Sequence, residues 1–331
     1  MADDLKLLLT GDGGTADASA LFQNAEWAGS YQQAARTLDF SIPVSSVDKG
    51  LPTVPCELGT RAQLYRSGIL LFDGYVFSRT RDTEGNTVDL SCADRGLYLN
   101  RNTIWYKFRN QTPEAMAKRV CADFGITVGT LAATGVSLSR NFPGVPLYKL
   151  IQTGYTLASR QTGERYLIRF RGTALEVVAK KQGESTLAIR PGSNLITLSV
   201  SESVEQMVNQ VVIYDSSGNR LSAQSDQDAI DKYGLMQDIL QKTDSTDASA
   251  EAKSILEDGQ AEQKITVTVL GNPALIAGNC VVLQEPVTQL WGLCWIDEDS
   301  HTWKDGLYQT KLTLNFRNLM DEQEAGRVPT A

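Results

Sequence analysis

The sequence predicts a mainly β protein with an α+β insertion, in which two related antiparallel β-barrel domains flank a small α+β domain. Three observations favour this class. Segments that alternate apolar and polar residues fill both ends of the chain, helical periodicity is confined to the middle and to one polar stretch, and glycine landmarks recur about 220 residues apart. At 331 residues the chain is also too long for one ordinary core.

The first β-barrel domain is expected over residues 1–108. From Leu38 to Val44 apolar residues alternate with polar ones, which is typical of a half-buried strand. Further strands are predicted at 63–65, 70–77 and 88–92, separated by turn residues. Strands that follow one another through short turns favour an antiparallel barrel or sandwich.

The α+β domain is expected over residues 109–193. Thr112 and Pro113 supply an N-cap and a proline at the first helical position, and apolar residues then recur at helical spacing before Gly125. A second helix is predicted over 146–160. A strand hairpin is predicted from 166–170 and 175–178.

The second β-barrel domain is expected over residues 194–321. Strands are predicted at 195–200, 211–214, 264–269 and 308–316, with a short helix that opens at Ser203. Residues 215–261 are polar and form a surface excursion, with helices predicted around 228–241 and 247–256. Residues 322–331 are predicted to be a flexible tail.

Six glycines carry the proposed repeat. The three pairs lie 219, 218 and 221 residues apart, and they are Gly59 with Gly278, Gly74 with Gly292, and Gly85 with Gly306. Glycine suits turns and sharp strand bends because it adopts positive φ freely. Similar offsets indicate a duplicated unit, although hairpins bounded by glycine are common enough that chance coincidence stays open.

Composition excludes several classes of protein. The net charge of −8 does not favour binding of duplex nucleic acid, and no run approaches the roughly 20 apolar residues of a membrane span. The N-terminal segment lacks the features of a secretory signal, so synthesis in the bacterial cytoplasm is expected. Five scattered cysteines without a C-x-x-C pair indicate neither a disulfide framework nor a zinc site.

The candidates for catalysis are weak. His301 is the only histidine, and the polar residues around it favour a turn between two strands. The adjacent carboxylates Asp297, Glu298 and Asp299 could serve a hydrolase of cell-wall polymer, but their adjacency favours a solvated loop. We predict no catalytic, cofactor or metal residues.

Several segments together resemble a known family. They include WAGSYQQAARTLDFSI (27–42), LLFDGYVFSRTRD (70–82), YKFRNQTPEAMAKRVCADFGI (106–126), VLGNPALIAGNCV (269–281) and DSHTWKDGLYQTKLTL (299–314). In order and spacing they are similar to central hub proteins of contractile tails, in the branch of PBSX-type prophages and phage-tail-like bacteriocins. The late-control-gene-D family and the T4 baseplate hub are more distant relatives.

The resemblance implies a structural role. It implies a homotrimeric ring of near-sixfold symmetry, built from two tail-tube-like barrels per chain, that joins a hexameric tail tube to a trimeric central spike. Tape measure and other baseplate proteins are further expected partners, and no block carries an active site. A tail-associated cell-wall hydrolase and a receptor-binding or glycan-binding module remain the alternatives, and the host and type of particle stay open.

Overall fold

The computed structural model describes residues 5–45, 48, 50–82, 86–181, 187–242 and 248–329. It divides into two compact units, one of residues 1–198 with 266–331 and one of residues 199–265. Antiparallel strands dominate, as the sequence predicts. No helix in the described ranges is both long and apolar enough to span a bilayer.

The N-terminal third consists of strands, and the strands predicted at 38–44, 63–65, 70–77 and 88–92 are confirmed. The strands are β1 (Leu5–Gly11), β2 (Gly14–Asp17), β3 (Asn24–Ser30), β4 (Thr37–Pro43), β5 (Arg61–Arg66), β6 (Ile69–Arg81) and β7 (Thr87–Asp94). Their order in the sheet is β3-β4-β7-β6-β5-β1-β2. The alternation in β4 buries Leu38, Phe40 and Ile42 on the core side.

The middle of the chain folds around a second core. Its elements are α1 (Gly96–Arg101), β8 (Thr103–Gln111), α2 (Pro113–Asp123), β9 (Thr127–Leu131), β10 (Leu138–Pro146), α3 (Leu147–Thr162), β11 (Tyr166–Arg171) and β12 (Ala174–Ala179). Thr112 caps α2 through its side-chain oxygen, which accepts from the Ala115 N–H, and both predicted helices are present. The small sheets are β8 with β10, and β11-β12-β9.

The predicted boundary after residue 108 needs correction. It cuts through β8, and Leu99 and Phe108 are buried in the same apolar cluster as residues of α2 and α3. This cluster therefore begins near α1 rather than after residue 108. The boundary was placed too late because α2, which has the clearest helix signal in the sequence, comes after α1 and β8.

The remaining elements complete the large sheet and the second unit. They are β13 (Leu187–Ile189), β14 (Leu195–Ser203), β15 (Gln210–Tyr214), β16 (Arg220–Ser225), α4 (Gln227–Tyr233), β17 (Gln237–Gln241), α5 (Ala248–Asp258), β18 (Glu262–Leu270), β19 (Cys280–Glu285), β20 (Leu290–Lys304) and β21 (Leu307–Asn315). The large sheet contains the further order β14-β18-β21-β20, in which β20 pairs with β3, and β19 pairs with both β20 and β13.

Residues 199–265 are a folded unit with a sheet of its own, in the order β16-β15-β17. Val211 and Ile213 of β15 pack against Ala248 and Ala252 of α5. The helix predicted over 228–241 is wrong in its second half, because Gly234 at φ +85° ends α4 and β17 follows.

The short helix predicted to open at Ser203 is also absent. The hydroxyl of Ser203 accepts a hydrogen bond from the Glu205 N–H, which makes a local turn. The capping pattern was present in the sequence, but no helical turn follows it.

The C-terminal segment is anchored as far as Arg327, in contrast to the flexible tail predicted from residue 322. The Gln323 N–H donates to Thr156 in α3, and Arg327 forms an antiparallel bridge with Asn141. Glu324 pairs with Arg140 at 3.1 Å. Backbone bonds and an ion pair thus hold a segment whose polar composition suggested fraying.

Candidate functional site: two strand blocks and a buried charge cluster

Two groups of five strands have the same order of neighbours. We call β3 to β7 the first block, and β14 with β18 to β21 the second block. The first runs β3-β4-β7-β6-β5 and the second runs β14-β18-β21-β20-β19. In each block the long strand, β6 or β20, therefore lies between the next strand along the chain and the preceding one.

The glycines that open β5 and β19 have the same backbone geometry. Gly59 has φ +85° and Gly278 has φ +90°. The Gly59 N–H donates to the carbonyl of Val76 at 2.8 Å, and the Gly278 N–H donates to the carbonyl of Ile296 at 2.9 Å. In both blocks the residue after the glycine accepts a bond back from that partner, at 2.8 and 2.9 Å respectively.

A β-bulge fixes how the two long strands correspond. The ladder of β6 with β7 shifts between Val76 and Ser78, and the ladder of β20 with β21 shifts between Ile296 and Glu298. The two bulges are 220 residues apart. Under this correspondence Arg79 of β6 matches Asp299 of β20, and Arg81 matches His301.

The same register does not match Gly74 with Gly292, and this part of the predicted glycine repeat is wrong. Leu64 and Leu283 correspond, because each lies five residues after the matched glycine. Leu64 pairs with Phe72 and Leu283 pairs with Gly292, so Phe72 is the residue that corresponds to Gly292, whereas Gly74 lies opposite Ala62. The similarity of sequence around the two glycines conceals an offset of two residues.

Local geometry explains why glycine stands at three of the remaining repeat positions, and the fourth is outside the described residues. A Cβ on Gly74 would come within 2.3 Å of the Ala93 carbonyl oxygen, so no larger residue fits. Gly292 and Gly306 have φ of +137° and +75°, which glycine adopts most readily. Gly85 is outside the described residues, so its pairing with Gly306 stays a prediction.

His301 does not lie in a turn, contrary to the sequence prediction. It is in β20, fully buried, with Trp27 of β3 opposite it in the ladder. Its Nε2 is 3.1 Å from the Leu275 carbonyl oxygen, so this nitrogen carries the hydrogen and donates. Its Nδ1 then has one lone pair, which accepts from the Tyr308 hydroxyl at 2.9 Å, and the Thr310 hydroxyl lies 3.1 Å from the same nitrogen.

Burial lowers the pKa of His301, although the neighbouring carboxylate of Asp299 opposes the shift. The ring is therefore neutral at neutral pH, which agrees with its hydrogen-bond partners. All of these groups are already satisfied, so His301 acts as a core residue rather than as a base.

Asp299 links the two blocks. Its carboxylate accepts two hydrogen bonds from the Arg36 guanidinium and one from the Ala277 N–H at 2.6 Å. Arg36 lies between β3 and β4, and its guanidinium stacks 4.1 Å from the centre of the Trp27 ring. Burial is the largest single influence on the pKa of Asp299 and raises it, but the charge of Arg36 and the hydrogen bonds from Arg36 and His301 together outweigh burial, so the pKa lies below its usual value.

The other two carboxylates of the predicted loop also lie in β20. Asp297 is buried, and burial raises its pKa to about 6 even though the charge of Lys180 opposes the shift. Glu298 is exposed and accepts from the Thr313 hydroxyl at 3.1 Å. Two of the three carboxylates are therefore withdrawn from solvent, which does not support paired acid and base catalysis on a polymer.

Sequence reasoning missed Arg36 and the strand character of residues 296–304. Asp297, Asp299, His301 and Trp303 recur at every second position, which is the alternation of a strand with one buried face. Their polarity masked this pattern. Among the described residues, no cluster of three or more His, Cys, Asp or Glu side chains could hold a metal ion.

This architecture is the fold of phage tail proteins. The 43 kDa tail protein of prophage MuSo2 from Shewanella oneidensis superimposes with a TM-score of 0.74 at 15% identity, over 96% of this chain and 99% of that one. The E. coli c3393 protein, a component of the type VI secretion system, superimposes with a TM-score of 0.55 at 11% identity, over 93% of this chain and 76% of that one.

The chain belongs to the YQBQ-like family, whose model matches residues 25–315. The phage-like element PBSX protein XkdQ of Bacillus subtilis is 24% identical over 301 residues, which are 88% of this chain and 91% of the relative. The family resemblance indicated by the quoted segments is confirmed.

Proposed function

We propose that this protein is the structural hub of a contractile phage tail or phage-tail-like particle. Three copies form a ring of pseudo-sixfold symmetry that connects the hexameric tail tube to the trimeric central spike. Tape measure and other baseplate proteins are its further contacts. The chain acts by assembly, and its chemistry is that of its interfaces.

The observation that carries the proposal is the matched pair of strand blocks. Both have the same order of neighbours, the same glycine geometry at the entrance to β5 and β19, and the same bulge in the long strand. Three chains with two such blocks present six similar surfaces while keeping true threefold symmetry. Such a ring can bind a sixfold partner on one side and a threefold partner on the other.

The comparisons support this role at the level of fold and family. XkdQ is named as a protein of a phage-like element, and the c3393 protein is described as similar in structure to the T4 bacteriophage tail proteins gp27 and gp5. In the same proposal each block belongs to a tube-like barrel domain, near residues 1–108 and 194–321, with 199–265 as a unit inserted within the second.

The test is the oligomeric state and position of the chain. Light scattering on the purified full chain, alone and with its spike protein, is expected to give a trimer, and a map of the intact particle is expected to locate it on the axis. A chain that stays monomeric with its spike, or that lies at the periphery, would contradict the proposal. A lytic band on peptidoglycan gels would favour the hydrolase alternative instead.

A further inference from the structure

The two long strands differ in what covers their second half. In β20, residues 298–304 pair with β21 on one side and with β3 of the first block on the other. In β6, residues 78–81 pair with β7 on one side, while β5 reaches only as far as Tyr75. In the described chain no strand lies where the correspondence with β20 would place a partner of residues 78–81.

The backbone groups of this segment point away from the rest of the fold at alternate residues. The Val44 N–H bonds the Asn86 carbonyl, which fixes that the even-numbered residues of β7 face β4. Odd-numbered residues of β7 therefore face β6, where they meet Ser78 and Thr80. The N–H and C=O groups of Arg79 and Arg81 are consequently directed to the uncovered side.

A matching strand edge exists at the other end of the same sheet. β14 is the terminal strand of the second block, with β18 on one side and no strand on the other among the described residues. It holds the place in its block that β3 holds in the first. Since β3 covers the second half of β20, β14 is the strand whose place corresponds to the missing cover of β6.

We propose that residues 78–81 of β6 in one copy pair antiparallel with β14 of a neighbouring copy, and that this contact repeats the pairing of β20 with β3. The inference rests on the proposed trimer and names the two edges that close it. Within a chain β20 pairs with β3, and between neighbouring chains β6 pairs with β14. These two kinds of strand pairing alternate around the trimer, so that every block is joined to both of its neighbours and the ring is closed.

Side-chain chemistry agrees with this choice of partner. The uncovered segment carries Arg79 and Arg81, both exposed, and the only charged residue of β14 is Glu202. An exposed strand edge is a template for pairing with another chain, and opposite charges favour the intended partner. β2, at the opposite terminus of the sheet, has no equivalent in the second block at this place.

Proline substitution tests the backbone contact. Arg79→Pro removes one N–H that points to the uncovered side, and proline is tolerated on an edge strand when its nitrogen faces outward. Arg79→Ala removes the same guanidinium but keeps the N–H. We expect Arg79→Pro to weaken trimer formation at least tenfold more than Arg79→Ala by sedimentation equilibrium, with circular dichroism used to verify that both variants fold.

Cysteine cross-linking tests the same contact in chains that keep their backbone groups. Thr80 corresponds to Ser300, whose hydroxyl bonds Glu26 on the exposed face of β3. On β14 the exposed residues Ser199 and Ser201 alternate with half-buried neighbours, so they lie on the matching face. Thr80→Cys combined with Ser199→Cys or Ser201→Cys is expected to give dimer and trimer bands after oxidation.

The controls separate this inference from the proposed function. Thr80→Cys alone, and Thr80→Cys with Ala16→Cys on β2, are expected to stay uncross-linked. A trimer that forms without these cross-links, and that tolerates Arg79→Pro, overturns the strand pairing and leaves the hub in place. A chain that is monomeric under all conditions overturns both.

Discussion

The two strand blocks share a topology, but the second half of β20 pairs with strands on both sides, whereas the second half of β6 pairs with a strand on one side only. In β20 this half is covered by β3, and Asp299 and His301 are buried with every polar group paired. In β6 the corresponding residues are Arg79 and Arg81, which are exposed. One backbone arrangement therefore forms an internal joint between the blocks in one place and an open strand edge in the other. The side chains are buried where a strand covers them and exposed where none does.

The strongest way to break the internal joint is to neutralise Asp299. Asp299→Asn leaves the guanidinium of Arg36, which is only 17% exposed, without its anion. Losing one partner of a buried ion pair costs about 3–5 kcal/mol, so a large fall in the free energy of unfolding is expected in urea titrations.

Glu298→Gln is the matched control, because Glu298 is the exposed neighbour on the same strand. Its effect is expected to stay within about 0.5 kcal/mol. Equal losses for the two variants would show that the cluster around Asp299 contributes nothing special.

The two glycines that the sequence pairs wrongly offer a second test. Gly74→Ala drives a Cβ to 2.3 Å from a backbone oxygen, so the ladder of β6 with β7 must shift, at a cost of about 2–3 kcal/mol. Gly292→Ala meets only Phe316 at 3.5 Å, and its cost of about 1–2 kcal/mol comes from the φ of +137°.

Thermal unfolding measures both, with Gly13→Ala as the control, since a Cβ there meets nothing within 4 Å. The same cost at Gly74 and Gly292 would argue that they do occupy equivalent places, against the register of the two ladders. A neutral Gly13→Ala is required for the comparison to hold.

The third test uses pH, because each block carries one buried carboxyl group with a raised pKa. Burial raises the pKa of Asp94, at the end of β7, to about 6, and it does the same for Asp297 in β20. Between about pH 4 and pH 6 these two groups hold their protons in the folded chain and lose them in the unfolded chain, so their contribution makes the free energy of unfolding fall as pH rises through that window.

Each group is expected to contribute on the order of 2 kcal/mol to this fall. Urea titrations at pH 4.5 and 7.5 are the measurement, and Asp94→Asn and Asp297→Asn should each flatten the dependence. A dependence that neither variant reduces would assign the effect to other groups.

The sequence predictions are accurate where the signal for an element lies within the element itself. The Thr112 cap and the proline after it located α2 within one residue, and the alternation from Leu38 located β4. Neither element needs a distant partner to be recognised, because the periodicity of its apolar face and its terminal residues are both written in the segment itself.

The prediction failed where a distant contact overrides the local pattern. His301 and its acidic neighbours have the composition of a loop, but Arg36, more than 260 residues earlier, supplies the charge that allows Asp299 to be buried. The tail after residue 321 is polar in the same way, and it is ordered because Thr156, Asn141 and Arg140 meet it.

The sequence by itself determined the β-rich class, the helices of the middle region and the family, since these follow from periodicity and from the order and spacing of the quoted segments along the chain. Only the tertiary structure decided the register of the two blocks, the burial of His301 and the open edge of β6. The partner of a strand is set by contacts with residues far away in the chain. The sequence of one strand shows which of its faces is apolar, but not which other strand its backbone groups pair with.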